Sequence, residues 1–185
     1  MTEMLYQRDV YGQTLVDLGK RNKDIVVLDA DLAGSTRTSI FAKEFPERFF
    51  NFGVAEQNMM ATAAGLASCG KIVFASTFAM FATGRVWDQI RNTVSYNNFN
   101  VKIVASHAGL TVGPDGASHQ ALEDIAIMRV IPNMQIIVPC DMIETRKATL
   151  AAARLPGPFY VRFAREKSPV FTSEETLFEF GKAQV

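Results

Sequence analysis

No stretch of this chain is long and apolar enough to suggest a membrane span. Its first residues, Met1 to Asp9, are polar and of mixed charge, so no secretory signal is expected there. Charge of neither sign prevails. Nineteen basic residues balance 19 acidic ones, which gives no footing for nucleic acid or an anionic membrane surface as partner. Only two cysteines, Cys69 and Cys140, and two histidines, His107 and His119, are present, with no clustering. Neither a disulfide framework nor a zinc site is expected. Both cysteines stand in apolar surroundings and read as buried free thiols of a cytoplasmic protein. Gly-x-Gly-x-x-Gly, Gly-x-x-x-x-Gly-Lys-Ser/Thr and Gly-x-Ser-x-Gly are all missing. Their absence disfavours dinucleotide binding, P-loop phosphate binding and serine hydrolysis.

What is present describes one domain. A 48% hydrophobic and 21% charged composition over 185 residues supports a single globular core. Short Val- and Ile-rich runs, at Ile25–Leu28, Lys71–Ala75, Val101–Ala105, Gln135–Val138 and Phe159–Phe163, read as strands buried on both faces. Arg48–Phe52 reads as a further short strand. Helical patterns alternate with these runs, at Arg8–Arg21, Ser39–Phe45, from Glu56 onward, after Ser76 or Thr77 as cap, at Gln120–Val130, and at Asp141–Arg154. This order predicts an α/β fold with a doubly wound, mostly parallel sheet and helices on both faces. The predicted domain covers residues 1–165, and residues 166–185 read as a linker towards an absent C-terminal domain.

Glu56 opens a helix that carries no other charge before Lys71. A helix that is apolar and small on all sides is predicted to be buried. An acid at its start is explained by the helix dipole or by chemical use, and the helix by itself favours the dipole. His107–His119 is a thirteen-residue, glycine-rich loop with two histidines and Asp115. It reads either as a ligand-handling loop or as a flexible surface loop with incidental histidines. Phe78 and Phe81 are three residues apart at a predicted helix start. Such a pair ordinarily packs in a core, and the alternative is a shelf for a flat ring. Arg8, Ser35, His107 and Arg165 each end a predicted element, and together at one sheet edge they would hold a phosphate.

Several pieces, taken in order, carry a resemblance. They are Asp29-Ala30-Asp31-Leu32, Gly53–Met59, Ser76–Phe81, His107-Ala108-Gly109 with Gly113–Gln120, and Ile131–Met134. With these pieces the chain resembles the pyrimidine-binding domain of transketolase-type thiamine-diphosphate enzymes, including the separately encoded C-terminal subunit of split transketolases. The resemblance implies that Glu56 is the catalytic glutamate, hydrogen-bonded to the pyrimidine ring nitrogen. Phe78 and Phe81 would stack on the pyrimidine, although Gly84 stands where the family often has a third aromatic. Asp31 would lie near the thiazolium. His107, Asp115 and His119 would handle sugar hydroxyls and the carbonyl oxygen, with His107 and His119 counted as catalytic beside Glu56. Arg8, Ser35, His107 and Arg165 would hold the terminal phosphate. The implied reaction moves a two-carbon ketol unit between ketose and aldose phosphates, within pentose phosphate metabolism.

The chain departs from the family in lacking Gly-Asp-Gly. No metal ligand is therefore assigned here. Magnesium or calcium, with the cofactor's diphosphate, is expected on an N-terminal diphosphate-binding partner subunit. The helix after Glu56 is expected to form a homodimer. Rival readings are 1-deoxyxylulose-5-phosphate synthase, disfavoured by His107 where Arg is usual, a 2-oxoacid dehydrogenase β-type subunit, and a non-catalytic dimerisation module.

Overall fold

The computed structural model describes residues 4–183. Six strands form one sheet in the order β3-β2-β4-β5-β7-β6, every pairing parallel. They are β2 (Ile25–Asp29), β3 (Phe49–Asn51), β4 (Ile72–Phe78), β5 (Val101–Ser106), β6 (Gln135–Ile137) and β7 (Phe159–Arg162). Helices α1 (Gln7–Arg21), α3 (Thr38–Glu44) and α7 (Met142–Arg154) cover one face. Helix α4 (Glu56–Ser68), a π-helical stretch (Gln89–Ser95) and α6 (Asp124–Arg129) cover the other. The doubly wound α/β sheet anticipated from the sequence is the observed architecture. Two short helices complete the inventory used below, α2 (Ala33–Thr36) and α5 (Ala79–Thr83). No described helix is long and apolar enough to cross a membrane.

The central strands are buried on both faces because parallel crossovers put helices on both sides. Met59, Met60 and Ala63 of α4 are fully buried. Each such methionine contributes about 1.5–3 kcal/mol of burial free energy. Helix α4 is nevertheless not buried all round. Gln57, Asn58, Ala61 and Gly65 are exposed, because only one face of the helix meets the sheet.

Four further readings are corrected. β4 runs through Phe78, in register with Ser106 of β5, so Ser76 and Thr77 lie in the strand and cap no helix. Ser76 instead shares a 2.7 Å hydrogen bond with the Tyr11 hydroxyl, tying α1 to the sheet. The predicted continuous helix after β4 is split into α5, a turn at residues 84–86 and the π-helical stretch. Residues 120–123 stay outside α6, because Ala121 bridges Gly109 across the loop. Both cysteines are free but exposed. Partial desolvation and the neighbouring Glu144 still push the Cys140 thiol up to about 12.

The segment read as a linker lies against the domain. β8 (Ser168–Pro169) pairs antiparallel with β1 (Met4–Leu5). Phe178 and Phe180 pack on the α1–α7 side of the core, where Phe180 meets Phe159 edge-on.

Helix α1 approaches α3 so closely that a Cβ at Gly12 would come within 2.6 Å of the Arg37 carbonyl oxygen. Gly12→Ala, which stabilises an open helix by up to about 1 kcal/mol, should here destabilise the chain by about 1–3 kcal/mol. Urea unfolding will show this as a lower midpoint at unchanged slope.

Candidate functional site

The site lies along the carboxyl edge of the sheet, where open parallel sheets place ligands. β2 ends in Asp29, whose buried carboxylate accepts from the Thr36 and Thr38 hydroxyls at 2.7 and 2.8 Å and from the Leu32 amide. Burial raises its pKa and these donors oppose the rise. Asp29 thus anchors the turn that presents Asp31 and Ser35. Asp31 has φ 64°, and its amide donates to the Asn51 side chain at 3.0 Å.

Glu56 is the first residue of α4 and is 2% exposed. Its carboxylate accepts from the Arg85 guanidinium at 2.8 Å. A depression of about 360 Å³ opens beside them, lined by Val54, Ala55, Glu56, Gln57, Asn58 and Arg85. The Arg85 guanidinium also lies over the Phe81 ring, 4.3 Å from its centroid.

Phe81 leads to the histidines. His119 stands edge-on to Phe81 at 5.1 Å, and Phe78 lies nearly parallel to Phe81 at 6.2 Å. Phe78 is itself buried, with His107 stacked on it at 3.6 Å. Of the aromatic pair, Phe81 is therefore the more accessible ring. This follows from β4 ending at Phe78 opposite Ser106, the last residue of β5, after which His107 comes next in the chain.

His107 has φ 59°, a conformation rare outside glycine and held here by the surrounding packing. Its Nδ1 shares a 3.0 Å hydrogen bond with the Ser106 hydroxyl, and its Nε2 faces Asp115 at 3.9 Å. Burial, then the Arg8 charge, pull its pKa down to about 4, with Arg165 acting in the same sense. The imidazole is thus neutral at physiological pH. Arg8 donates to the Ser35 carbonyl at 3.4 Å, and Arg165 packs against Gly113 and pairs with Glu166.

Most of the residues nominated from the sequence come together in one row, which Glu56 joins through Arg85, whereas Asp31 contacts Asn51 and is not brought into it. Glu56, Phe81, His119, Phe78 and His107 follow one another, and Arg8, Arg165 and Asp115 close the row around His107. Ser35 reaches this group through Arg8, and Asp31 stands beside Asn51.

The sequence reading missed Arg85, although its spacing of four from Phe81 was a signal. It also missed a buried network under the loop. Asp124 accepts from the Tyr160 hydroxyl at 2.7 Å and from Arg162 at 2.6 Å, beneath the Gly109–Ala121 bridge. A buried charge between two apolar elements cannot be located from periodicity.

His107 makes stability depend on pH. Its folded pKa, about 4, lies below the ordinary 6.5, so the folded state resists protonation. Stability contributed by the neutral ring is complete above about pH 6.5 and falls as pH drops towards 4, by up to about 3 kcal/mol. His107→Gln should remove this part of the acid destabilisation, as read from urea midpoints between pH 7 and 4.

Among the described residues, no three His, Cys, Asp or Glu side chains group as a metal site. The donor set fits an aminopyrimidine, with a buried carboxylate next to an aromatic face.

Comparison with known proteins agrees with this chemistry. The family model "Transketolase, pyrimidine binding domain" matches residues 3–170. A protein from Methanocaldococcus jannaschii, named as the C-terminal section of a transketolase, is 59% identical over 180 residues, covering 96% of this chain and 57% of its own length. A 6-deoxy-6-sulfo-D-fructose transketolase subunit from a Clostridium species is 39% identical over 178 residues, covering 96% of this chain and 55% of its own. Among solved structures, a split-gene transketolase described as an inactive β4 tetramer superposes with TM-score 0.85 at 56% identity. The match covers 95% of this chain and 57% of that one. The chain thus spans little more than half the length of these relatives.

Proposed function

Because this chain belongs to the transketolase pyrimidine-binding domain family, we propose that it supplies half of a ketol-transferring active site, completed by a diphosphate-binding subunit. The family implies thiamine diphosphate as cofactor. The observation that carries the reading is the row from buried Glu56 past Phe81 and the two histidines to Arg8 and Arg165.

When bound, thiamine diphosphate supplies the electron sink for the two-carbon unit. The protein supplies orientation, acid–base groups and a dry pocket. Glu56 holds a proton at the pyrimidine ring nitrogen, and Phe81 supports the face of that ring, with Phe78 behind it. Asp31, fixed by Asn51, stands on the thiazolium side. His119 and neutral His107 hydrogen-bond the sugar's oxygens, with Asp115 on its hydroxyls. Arg8, the Ser35 backbone turn, His107 and Arg165 hold the terminal phosphate, for which two guanidinium groups are suited.

Magnesium or calcium belongs to the N-terminal partner in this reading, because this chain's donors suit only the pyrimidine side. A homodimer through the exposed side of α4 is supported by Gln57, Asn58, Ala61 and Gly65, small or polar groups that admit a close helix. The enzyme would work in the cytoplasm on pentose phosphate pathway sugars, residues 166–185 leading on to a C-terminal domain. Calorimetric titration with thiamine diphosphate and magnesium tests the half-site. The chain alone should bind weakly and its mixture with a Gly-Asp-Gly partner tightly; equal affinity in both would sink the division of labour.

A further inference from the structure

We infer that in the free chain the Arg85 guanidinium occupies both groups that the pyrimidine ring takes, so that cofactor entry displaces Arg85. The inference rests on Glu56 and Phe81 being the pyrimidine's partners. It adds a competitor belonging to the chain itself.

The geometry is specific. A guanidinium is flat, delocalised and a donor along its edge, and it stacks on aromatic rings. Arg85 uses both properties at once. An N–H reaches Glu56 at 2.8 Å while the planar group lies 4.3 Å from the Phe81 centroid. An aminopyrimidine presenting a protonated ring nitrogen to Glu56 while resting near Phe81 would need the same two contacts.

The two partners differ in how they meet water. The Glu56 side chain is 2% exposed and Arg85 is 43% exposed. A buried carboxylate without a partner is strongly unfavourable, so in the free chain Arg85 compensates Glu56. Releasing the half-exposed guanidinium to solvent is much less unfavourable, so a ligand that brings its own donor can replace it. The backbone at this point is held. The Gln57 side chain donates to the Arg85 carbonyl at 3.0 Å, which fixes the 84–86 turn against the start of α4. Movement is thereby left to the side chain.

The consequence is a threshold on cofactor binding. Pyrimidine contacts alone must overcome the Arg85 pair, and contacts from a diphosphate-binding partner add what is needed. Arg85 thus keeps the carboxylate satisfied before the two halves assemble.

Calorimetric titration of the full chain with thiamine tests this without reference to activity. Arg85→Ala and Arg85→Met, the latter keeping an aliphatic stem over Phe81, should bind thiamine about tenfold more tightly than wild type, the scale of one charge-assisted hydrogen bond. Both variants should also melt at a lower temperature, since Glu56 loses its partner. Adding Glu56→Gln to Arg85→Met should abolish the gain. Unchanged or weaker binding by a folded Arg85→Met chain, undetectable binding included, overturns the inference. A tenfold gain that survives Glu56→Gln overturns instead the assignment of Glu56 as the pyrimidine's partner.

Discussion

Glu56→Gln should lower ketol transfer by the chain assembled with its diphosphate-binding partner by ~10²–10⁴-fold, the range associated with a lost general acid–base group. The side chain is nearly isosteric, so packing at the start of α4 is kept. Gln cannot carry the carboxylate's charge, and it cannot exchange a proton with a ring nitrogen at neutral pH. The released Arg85 is 43% exposed and finds water, so the fold should lose little. Initial rates with saturating cofactor separate the effect from weaker binding. The expected pattern is a fall in kcat with a native circular dichroism spectrum. A variant of near-wild-type kcat would mean that another group handles the proton.

Arg165→Ala should reduce kcat/KM for phosphorylated aldoses by about 10–10²-fold, since a charge-assisted hydrogen bond contributes about 1.5–3 kcal/mol. Rates with an unphosphorylated acceptor should change little, because the guanidinium is assigned to the phosphate and not to the reacting carbons. Arg8→Ala should behave in the same way. The two act on His107 together, and both lower its pKa. Neighbouring charges that share one ligand are not additive, so the double variant should lose less than the product of the single losses. Equal losses on phosphorylated and unphosphorylated acceptors would move Arg165 from phosphate holder to a structural role for the loop at Gly113.

Much of this architecture is legible in residue patterns. Val- and Ile-rich runs reveal the buried strands because parallel pairing leaves no polar face. Of the face spaced as Val86, Trp87, Ile90 and Val94, the three aliphatic residues are fully buried and Trp87 is half-buried, even though the helix around them is interrupted. Less legible was everything that depends on how strands align. Whether Phe78 ends a strand or begins a helix turns on its register with Ser106, contributed by another element. That one shift buries Phe78 beneath His107 and leaves Phe81 as the more accessible ring. The Glu56–Arg85 pair spans 29 residues and arises only when α4 meets the turn after α5. The exposure of Cys69 and Cys140 was hidden for a related reason, because apolar sequence neighbours do not report which side chain faces out. The packed tail left a trace in its aromatics, of which Phe178 and Phe180 pack on the core while Phe171 stays exposed.

Backbone conformation adds a second line to the site. Asp31 and His107 both adopt positive φ, at 64° and 59°, without being glycine. Such conformations persist where the surroundings over-determine them, and they gather at functional positions. Asp31 stands two residues past the carboxyl end of β2 and His107 directly past that of β5, with β4 between the two strands. The Asp124–Tyr160–Arg162 network lies beneath the same loop. It gives that loop a buried polar support in place of a hydrophobic one.

On the reading proposed above, this chain is one half of a ketol-transfer site. Its most direct test is an assay of ketol transfer from a ketose phosphate to an aldose phosphate, with thiamine diphosphate and magnesium present throughout. The chain alone, a Gly-Asp-Gly partner subunit alone and the two mixed would be compared. Activity confined to the mixture is the predicted result. No transfer by the mixture, with both chains folded and associated, would contradict the claim, as would full activity of this chain by itself.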